Sequence, residues 1–223
     1  MMTNLFSIFD PSSSTLNTPL NWTSIILSTL MLPPLFWFSP PRMITVFLML
    51  TQTLLKEMST LLNTKSKPTL LIIIPLFWFV FFNNTLGLLP FIFTATSHLV
   101  ISLSLTLPLW TGYCLYNWTH NTTKALSHMA PPNTPPVLMP FMVVVESLSN
   151  LIRPFTLAIR LSANMIAGHL LLTLLSSSTL ITSPFSSMMT ILTQVLLMIL
   201  EIAVAGIQAY VLMTLCTLYI SEI

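Results

Sequence analysis

Long apolar stretches, separated by shorter polar segments, form the dominant pattern of this chain. A helix needs about 20 apolar residues to cross the hydrocarbon core of a bilayer, which is about 30 Å thick. Five stretches are long enough, and they cover residues 20–38, 69–89, 98–118, 141–176 and 185–220. The pattern therefore predicts an all-α integral membrane protein with about five transmembrane helices, built as a single membrane domain over residues 1–223.

The segments between the first three stretches predict two further features. Residues 42–62 carry Gln52, Lys56 and Glu57 on an otherwise apolar ribbon. This distribution is typical of an amphipathic helix that lies in the membrane interface instead of crossing it. Because the second and third stretches are joined by a short connection, we expect residues 69–118 to form a helical hairpin.

The last two stretches are unusually long. Each has 36 residues, which is about 54 Å of helix at 1.5 Å per residue. Crossing the hydrocarbon core with such a helix needs a tilt of roughly 55° or a strong bend, whereas ordinary spans tilt by about 20°. Pro154 lies inside the first of the two and can supply a bend. We therefore expect residues 141–220 to form a steeply tilted hairpin that cradles another curved object inside the membrane.

The composition excludes several classes of protein. Of the 223 residues, 54% are hydrophobic and 5% are Asp, Glu, Lys or Arg, whereas an ordinary soluble domain has about 25% charged residues. A soluble enzyme is therefore excluded, and a net charge of +2 spread along the chain excludes a nucleic-acid-binding surface. Cys114 and Cys216 each lie in an apolar run, so we expect neither a disulfide framework nor a cysteine metal site, and no cofactor.

Basic residues outside the apolar stretches predict the orientation. The two polar segments 42–67 and 119–136 hold five of the seven basic residues, namely Arg42, Lys56, Lys65, Lys67 and Lys124. By the positive-inside rule, both segments face the side on which the protein is made. The N-terminal segment, which carries only Asp10, is expected on the opposite side, and after five spans the C-terminus returns to the side of the basic segments.

Nearly all the ionisable and amide side chains within the apolar stretches lie on the last two. Spacings of four, three, seven and four residues place five of them on one stripe of a helix: Glu146, Asn150, Arg153, Arg160 and Asn164. On the following helix, Glu201 and Gln208 recur with a spacing of seven. A charge at bilayer depth costs from about 3 to more than 10 kcal/mol, and ion paths are the usual reason for one. The alternatives are an internal ion pair or polar contacts between helices, and Arg153 can also reach the interface.

The register of the long hairpin can be predicted from its turn. If the turn centres on Pro184, Arg160 and Gln208 are each 24 residues from it, while His169 is 15 residues before it and Glu201 is 17 after it. Arg160 and His169 then lie about 13 Å apart along the helix and on opposite sides of it. Glu146 forms a third polar position, about 21 Å from Arg160. This arrangement predicts two half-channels separated by a fixed cation.

The run from Arg160 to His169, RLSANMIAGH, resembles the signature of the subunit a family of F-type ATP synthases, and its mitochondrial form in particular. The run NTLGLLP at residues 84–90 and the pair Glu201 and Gln208 also match that family. The resemblance extends over essentially the whole chain, although residues 1–40 hold no motif. It implies the proton-translocating stator subunit of the synthase, which is not an enzyme by itself.

The resemblance also implies roles for individual residues. Arg160 matches the arginine that faces the carboxylate of each passing c-ring subunit. The remaining candidates match positions of the two proton paths: His169 and Glu201 on the intermembrane-space side, Glu146 on the matrix side, and Asn164 and Gln208 as polar neighbours. The implied location is the mitochondrial inner membrane, with the N-terminus in the intermembrane space and the C-terminus toward the matrix. The implied partners are the c-ring, the peripheral stalk and other membrane-sector subunits.

Three other functions are compatible with a polytopic membrane protein. A haem-holding redox subunit requires facing histidine pairs within the spans, and the four histidines, His98, His120, His128 and His169, do not form them. A secondary transporter is expected to show an internal repeat with a broken-helix site, and neither is present. A purely structural subunit of another respiratory complex gives no reason for Arg160 and Glu201 at membrane depth.

Overall fold

The computed structural model describes residues 5–12, 18–33, 39–62, 66–89, 92–120, 122–129, 135, 137–179 and 183–222. Within these residues all regular structure is helical. The α-helices are α1 (Thr23–Leu30), α2 (Arg42–Leu61), α3 (Leu70–Gly87), α4 (Leu99–His120), α5 (Thr122–Met129), α6 (Met139–Thr179) and α7 (Pro184–Glu222). Short 3-10 helices cover Leu5–Phe9, Leu20–Trp22, Lys67–Thr69 and Ala95–Ser97.

Four helical segments of the described chain are long and apolar enough to cross a membrane. They are Lys67–Gly87, Leu99–His120, Met139–Thr179 and Phe185–Ser221, with mean hydropathy between 1.4 and 2.2. The first predicted span, 20–38, contains only α1 and the 3-10 turn before it, and residues 34–38 lie outside the described residues. A fifth transmembrane helix at this place remains a prediction.

Helix α2 covers nearly the same residues as the predicted amphipathic segment 42–62. One of its faces packs on the bundle: the ring of Phe47 lies 4.4 Å from that of Trp78 in α3, and the Thr217 hydroxyl of α7 donates a hydrogen bond to the sulfur of Met58 at 3.6 Å. The opposite face, which includes Met43, is exposed. The exposed side also carries Gln52, Lys56 and Glu57, and this mixture of apolar and polar residues suits a helix that lies in the membrane interface.

The core lies where α3 packs on α7, which is the most extensive contact between helices. Its buried side chains include Ile73 and Val80 of α3 with Leu212 and Met213 of α7. Helix α3 is apolar on all sides, so several of its faces can be buried at once. This contact fixes the position of α7, and α7 in turn supports α6.

The predicted hairpin over residues 69–118 is wrong in its packing. The chain does turn between α3 and α4, but α3 packs on α7, and α4 packs on α6. The reason is the connection, whose 3-10 helix Ala95–Ser97 is fully buried against α3, α4 and α6. This inserted turn occupies the space that a direct contact between the two helices would need.

The two long helices predicted at the C-terminal end of the chain are observed, and both are slightly longer than predicted. Helices α6 and α7 have 41 and 39 residues, which is about 61 and 58 Å, or twice the thickness of the hydrocarbon core. Pro154 lies within α6 without ending it, since a proline removes only one intrahelical hydrogen bond. Helices of this length must tilt steeply or curve to keep their apolar residues in the membrane.

Helix α5 was not predicted, because its segment, residues 119–136, is polar overall. Residues Thr122–Met129 nevertheless form two helical turns that contact α4 and α6. Ala125 and Met129 are four residues apart and so share one face of the helix, and Ala125 is buried. The helix covers one side of a cavity that is described below.

Candidate functional site

Arg160 lies on the exposed face of α6. Leu157, Ala158 and Leu161 point into the bundle, whereas the side chains of Arg160 and Asn164 are exposed. In the described part of the chain, no side chain forms a hydrogen bond or an ion pair with the Arg160 guanidinium. Its charge and its five N–H donors are therefore available to a group outside this chain.

Gln208 of α7 lies at the depth of Arg160, as the register about Pro184 predicts. Its Nε2 donates a hydrogen bond to the backbone carbonyl oxygen of Arg160 at 3.3 Å. The amide oxygen of Gln208 does not accept a hydrogen bond from the guanidinium. The contact is made with the backbone instead, because α6 and α7 approach closely enough for the Gln208 side chain to reach it. The Oε1 atom of Gln208 is buried and has no hydrogen-bond partner among the described residues.

Glu201 packs directly on α6 at Gly168. A Cβ atom placed at Gly168 would lie 2.6 Å from Oε1 of Glu201 and 2.9 Å from its Cδ. Only glycine leaves room for the carboxyl group in this position. Glu201 is 9% exposed, and neither carboxyl oxygen has a partner among the described residues. The prediction that Glu201 lies at the same depth as His169, which follows Gly168 in the chain, is therefore correct.

His169 points away from the face that carries Arg160. Its imidazole lies next to the backbone of Gly87 at the end of α3. Its Nε2 atom is buried and, within the described ranges, has no partner. His169 of α6 therefore faces α3, whereas Glu201 of α7 faces α6.

The first of two large cavities lies between α6 and α7 and has a volume of about 250 Å³. Its lining includes three of the predicted site residues, Asn164, Glu201 and Gln208, together with Gly168. A water molecule occupies about 30 Å³ in the liquid, so this cavity has room for several. Unpartnered oxygens of Glu201 and Gln208 give such waters something to bind.

The second cavity, of about 320 Å³, lies among α4, α5, α6 and the end of α7. Its polar lining from α6 consists of Glu146, Ser147, Asn150 and Arg153, and α4 and α7 add Trp110, Tyr113, Cys114, Asn117, Trp118 and Tyr219. The guanidinium carbon of Arg153 lies 5.2 Å from the centre of the Tyr219 ring, a cation–π contact. Arg153 therefore belongs to the wall of this cavity.

Several residues of these cavities were missed by sequence reasoning. Asn117 could have been recognised from the sequence, because it is an amide near the end of an apolar span. In the structure its Oδ1 is buried and has no partner among the described residues. Tyr113 and Tyr219 could not have been recognised in this way, since aromatic residues are common in membrane helices. The importance of Gly168 was visible only as a small residue that permits close helix packing.

Arg160 lies between the two cavities and lines neither of them. On α6 the second cavity ends at Arg153, and the first begins at Asn164. Along the helix, Arg160 is thus about 10 Å from Arg153 at the end of the second cavity and about 6 Å from Asn164 at the start of the first. The predicted stripe is accordingly divided: Glu146, Asn150 and Arg153 face the second cavity, and Arg160 and Asn164 lie on the exposed face.

A small void of about 20 Å³ continues from the second cavity toward Arg160, lined in part by Leu157, Leu212 and Cys216. Such a void holds about one water molecule, and its inner wall is apolar. The space between the two cavities is therefore filled by packed hydrocarbon, which opposes direct passage of ions.

Metal binding finds no support in the described residues, where no three His, Cys, Asp or Glu side chains come together in a way that could hold a metal ion. Cys114 and Cys216 are both free thiols. The polar side chains of the site are acids, bases, amides and two guanidiniums, those of Arg153 and Arg160.

Comparison with known proteins gives one consistent family. Residues 20–221 match the family model described as ATP synthase A chain. The chain is 52% identical to "ATP synthase subunit a" of Anopheles quadrimaculatus, 48% identical to that of Locusta migratoria and 48% identical to that of Artemia franciscana. Each comparison covers 100% of both chains. Two cavities on either side of an exposed arginine, on a chain this similar over its whole length, lead to one conclusion: the chain belongs to the ATP synthase A chain family.

Proposed function

We propose that this chain moves protons through two half-channels that meet a rotating ring of c subunits on either side of Arg160. Membership of the family makes it the proton-translocating subunit of the membrane sector of ATP synthase, which is not catalytic by itself. The alternatives of a redox or structural subunit of another respiratory complex are not favoured by the comparisons. The half-channels and the roles of single residues are the proposal.

The half-channel on the intermembrane-space side is formed by the cavity at Glu201. Asn164, Glu201 and Gln208 line it, and His169 lies beside it next to Gly168. Support comes from the unpartnered polar atoms, since a buried carboxyl group and a buried imidazole nitrogen without partners are costly unless water or a proton relay satisfies them. These groups can pass protons to a carboxylate on the ring.

The half-channel on the matrix side is formed by the cavity at Glu146. Its volume of about 320 Å³ has room for water, and Glu146 is a carboxylate that can accept a proton from that water. Arg153, stacked on Tyr219, adds a fixed positive charge to the wall. Water and a carboxylate at this end provide an exit for protons released from the ring.

Arg160 separates these two paths. Its guanidinium has no partner in the described residues, so it can face an acidic group outside the chain. A cation close to a carboxylate favours the ionised form, which releases the proton as each ring subunit arrives. The same charge, with the packed side chains of Leu157 and Leu161 behind it, opposes direct passage of a proton between the cavities.

The chain is a multi-pass protein of the mitochondrial inner membrane and associates with the ATP synthase complex. The finer statements belong to the proposal: contact of the exposed face of α6 with the c-ring, contact with the peripheral stalk, the N-terminus in the intermembrane space and the C-terminus toward the matrix. The basic residues of segments 42–67 and 119–136 support this orientation.

The observation that carries the proposal is the position of Arg160 between two cavities, and Arg160→Ala tests it. In inner-membrane vesicles containing the assembled complex, proton-driven ATP synthesis should fall by roughly 100-fold or more, the loss typical of removing one preorganised electrostatic group. Arg160→Lys should also fail, because a point charge does not replace a planar fork of donors. Arg42→Ala, which removes an exposed arginine at the start of α2, is the matched control. Normal ATP synthesis by Arg160→Ala would contradict the proposal.

A further inference from the structure

In the part of the chain that the structure describes, one pair of opposite charges faces the cavity among α4, α5, α6 and the end of α7. Glu146 and Arg153 are the only described lining residues with a full charge at neutral pH. They are seven residues apart on α6, so they lie within about 20° of the same face and about 10 Å apart along the helix axis. Both side chains are half-buried. The described wall of the cavity therefore has a net charge close to zero.

Tyr219 holds the positive charge of this pair at the cavity. The guanidinium carbon of Arg153 lies 5.2 Å from the centre of the Tyr219 ring, which is within the range in which an aromatic ring attracts a cation. Tyr219 belongs to the last turn of α7 and lines the same cavity. A long arginine side chain is otherwise free to extend toward a membrane interface. The ring therefore keeps the guanidinium in the cavity wall.

A carboxylate in a water-filled cavity attracts metal cations as well as protons, because carboxylate oxygens and water are the ligands of hard cations. The volume of about 320 Å³ has room for such a cation with several water molecules, each of which occupies about 30 Å³. A fixed positive charge about 10 Å from the carboxylate weakens the attraction for a monovalent cation by roughly 10- to 20-fold at an effective dielectric constant of about 20. Arg153 supplies a charge at about this distance from Glu146.

We propose that Arg153, held by Tyr219, makes this cavity selective for protons by balancing the charge of Glu146, so that metal cations such as K⁺ do not occupy it. A proton still reaches Glu146, because it moves along hydrogen-bonded water and forms a covalent bond with a carboxylate oxygen. A monovalent metal cation is held by electrostatic attraction alone, which the guanidinium cancels. Arg153 is thus a specificity-determining residue. This inference rests on the proposed role of the cavity as the half-channel on the matrix side.

The native thiol of Cys114, which lines the same cavity, can report the charge of the wall. The test measures how fast Cys114 of the assembled complex reacts with a cationic (trimethylammonium ethyl) and an anionic (sulfonatoethyl) methanethiosulfonate, at low ionic strength and by mass spectrometry. Both reagents attack the same thiol, so the ratio of the two rates does not depend on its intrinsic reactivity. We expect Arg153→Gln to raise the ratio of cationic to anionic rates by roughly tenfold, and Glu146→Gln to lower it by a similar factor.

Matched variants separate the charge from the packing of the wall. Arg153→Lys keeps the charge and should leave the ratio within about twofold of the wild type. Arg42→Gln makes the same chemical change as Arg153→Gln at an exposed position that does not line the cavity, and it should not alter the ratio. Tyr219→Leu removes the ring that holds the guanidinium and should raise the ratio by at least about twofold, whereas Tyr219→Phe keeps the ring and should not. Should Arg153→Gln not assemble, Tyr219→Leu decides, since it leaves both charges in the chain.

The functional consequence is measured as proton-driven ATP synthesis in inside-out inner-membrane vesicles, with KCl or choline chloride at equal ionic strength in the outer medium. The wild type should give the same rate in both salts, whereas Arg153→Gln should be at least about threefold slower in KCl, in line with the loss of charge balance.

The possible outcomes are distinct. An unchanged labelling ratio in Arg153→Gln overturns the inference, and so does equal sensitivity of the wild type and Arg153→Gln to KCl. The labelling ratios need no turnover, so they decide wherever a variant makes no ATP. Normal ATP synthesis by Glu146→Gln would instead contradict the proposed half-channel itself, whatever the labelling ratios.

Discussion

Gln208 donates a hydrogen bond from Nε2 to the backbone carbonyl oxygen of Arg160 at 3.3 Å, and so joins α7 to α6 at the position of the arginine that we propose separates the two half-channels. The bond holds the backbone of Arg160 while leaving its guanidinium without a partner among the described residues. The two long helices are thereby fixed to one another at the point where the proposed mechanism needs a charge at constant depth.

Two substitutions of Gln208 should therefore differ in their effects. Gln208→Leu removes the hydrogen bond and should destabilise the contact by about 0.5–1.5 kcal/mol, with a moderate loss of ATP synthesis. Gln208→Glu replaces the donor by a second acceptor and puts a carboxylate near the guanidinium of Arg160, where a charge-assisted pair competes with the ring. ATP synthesis rates in vesicles should be clearly lower for Gln208→Glu than for Gln208→Leu. Equal rates would show that the side chain acts only through packing.

The register of α6 and α7 could be predicted from the sequence because two rigid helices with a single turn leave little freedom. A rise of 1.5 Å per residue and a turn at Pro184 bring Arg160 level with Gln208 and His169 level with Glu201, as observed. The direction of the Gln208 hydrogen bond could not be predicted, because an amide both donates and accepts.

The partners of α3 and α4 could not be predicted for a different reason. Helix α3 is apolar all round, so its sequence contains no face that selects one neighbour. Chain proximity favoured a contact with α4, but the buried turn Ala95–Ser97 separates the two helices. Thr94, just before that turn, packs on the end of α3, where a Cβ atom at Gly87 would lie 3.2 Å from its Cγ2; this contact could not be predicted from the sequence either.

The close contact at Gly168 leads to a second prediction. Gly168→Ala would place a methyl group 2.6 Å from Oε1 of Glu201, so the carboxyl group must leave its position or α7 must move outward. We expect ATP synthesis to fall by at least about tenfold, since small displacements of catalytic groups have effects of this size. The measurement is the rate of ATP synthesis per assembled complex.

Gly112→Ala provides the control for this variant. A Cβ atom at Gly112 has open space within 4 Å, and alanine is favoured over glycine within a helix by about 1 kcal/mol. The control should therefore assemble and function normally. If Gly168→Ala behaved in the same way as Gly112→Ala, the position of Glu201 would not matter for proton movement.

A third prediction concerns the side from which each cavity is reached. In a chain whose native cysteines are replaced by serine, single cysteines at positions 164 and 201 should react with silver ions added from the intermembrane-space side. Cysteines at positions 146 and 150 should react with silver ions added from the matrix side, because these positions line the other cavity. Loss of proton conduction after addition from each side is the measurement.

The native chain contains its own probe for the second cavity. Cys114 lines that cavity, whereas Cys216 is 8% exposed in the core. Thiol reagents added from the matrix side should therefore modify Cys114 before Cys216, as measured by mass spectrometry. Reaction of both cysteines at the same rate would argue against a water-filled cavity at Cys114.

The last prediction tests whether α2 is a structural part of the bundle. Met58 is 1% exposed, contacts the hydroxyl of Thr217, and lies in the same buried cluster as Ile73. Met58→Ala should destabilise the protein by about 2–5 kcal/mol through the cavity it leaves. Met43→Ala makes the same chemical change on the same helix at a position that is 85% exposed, and it should cost less than about 1 kcal/mol. The thermal stability of the detergent-solubilised complex measures both. A similar loss of stability for the two variants would mean that α2 contacts the bundle only weakly and that a partner outside the chain holds it.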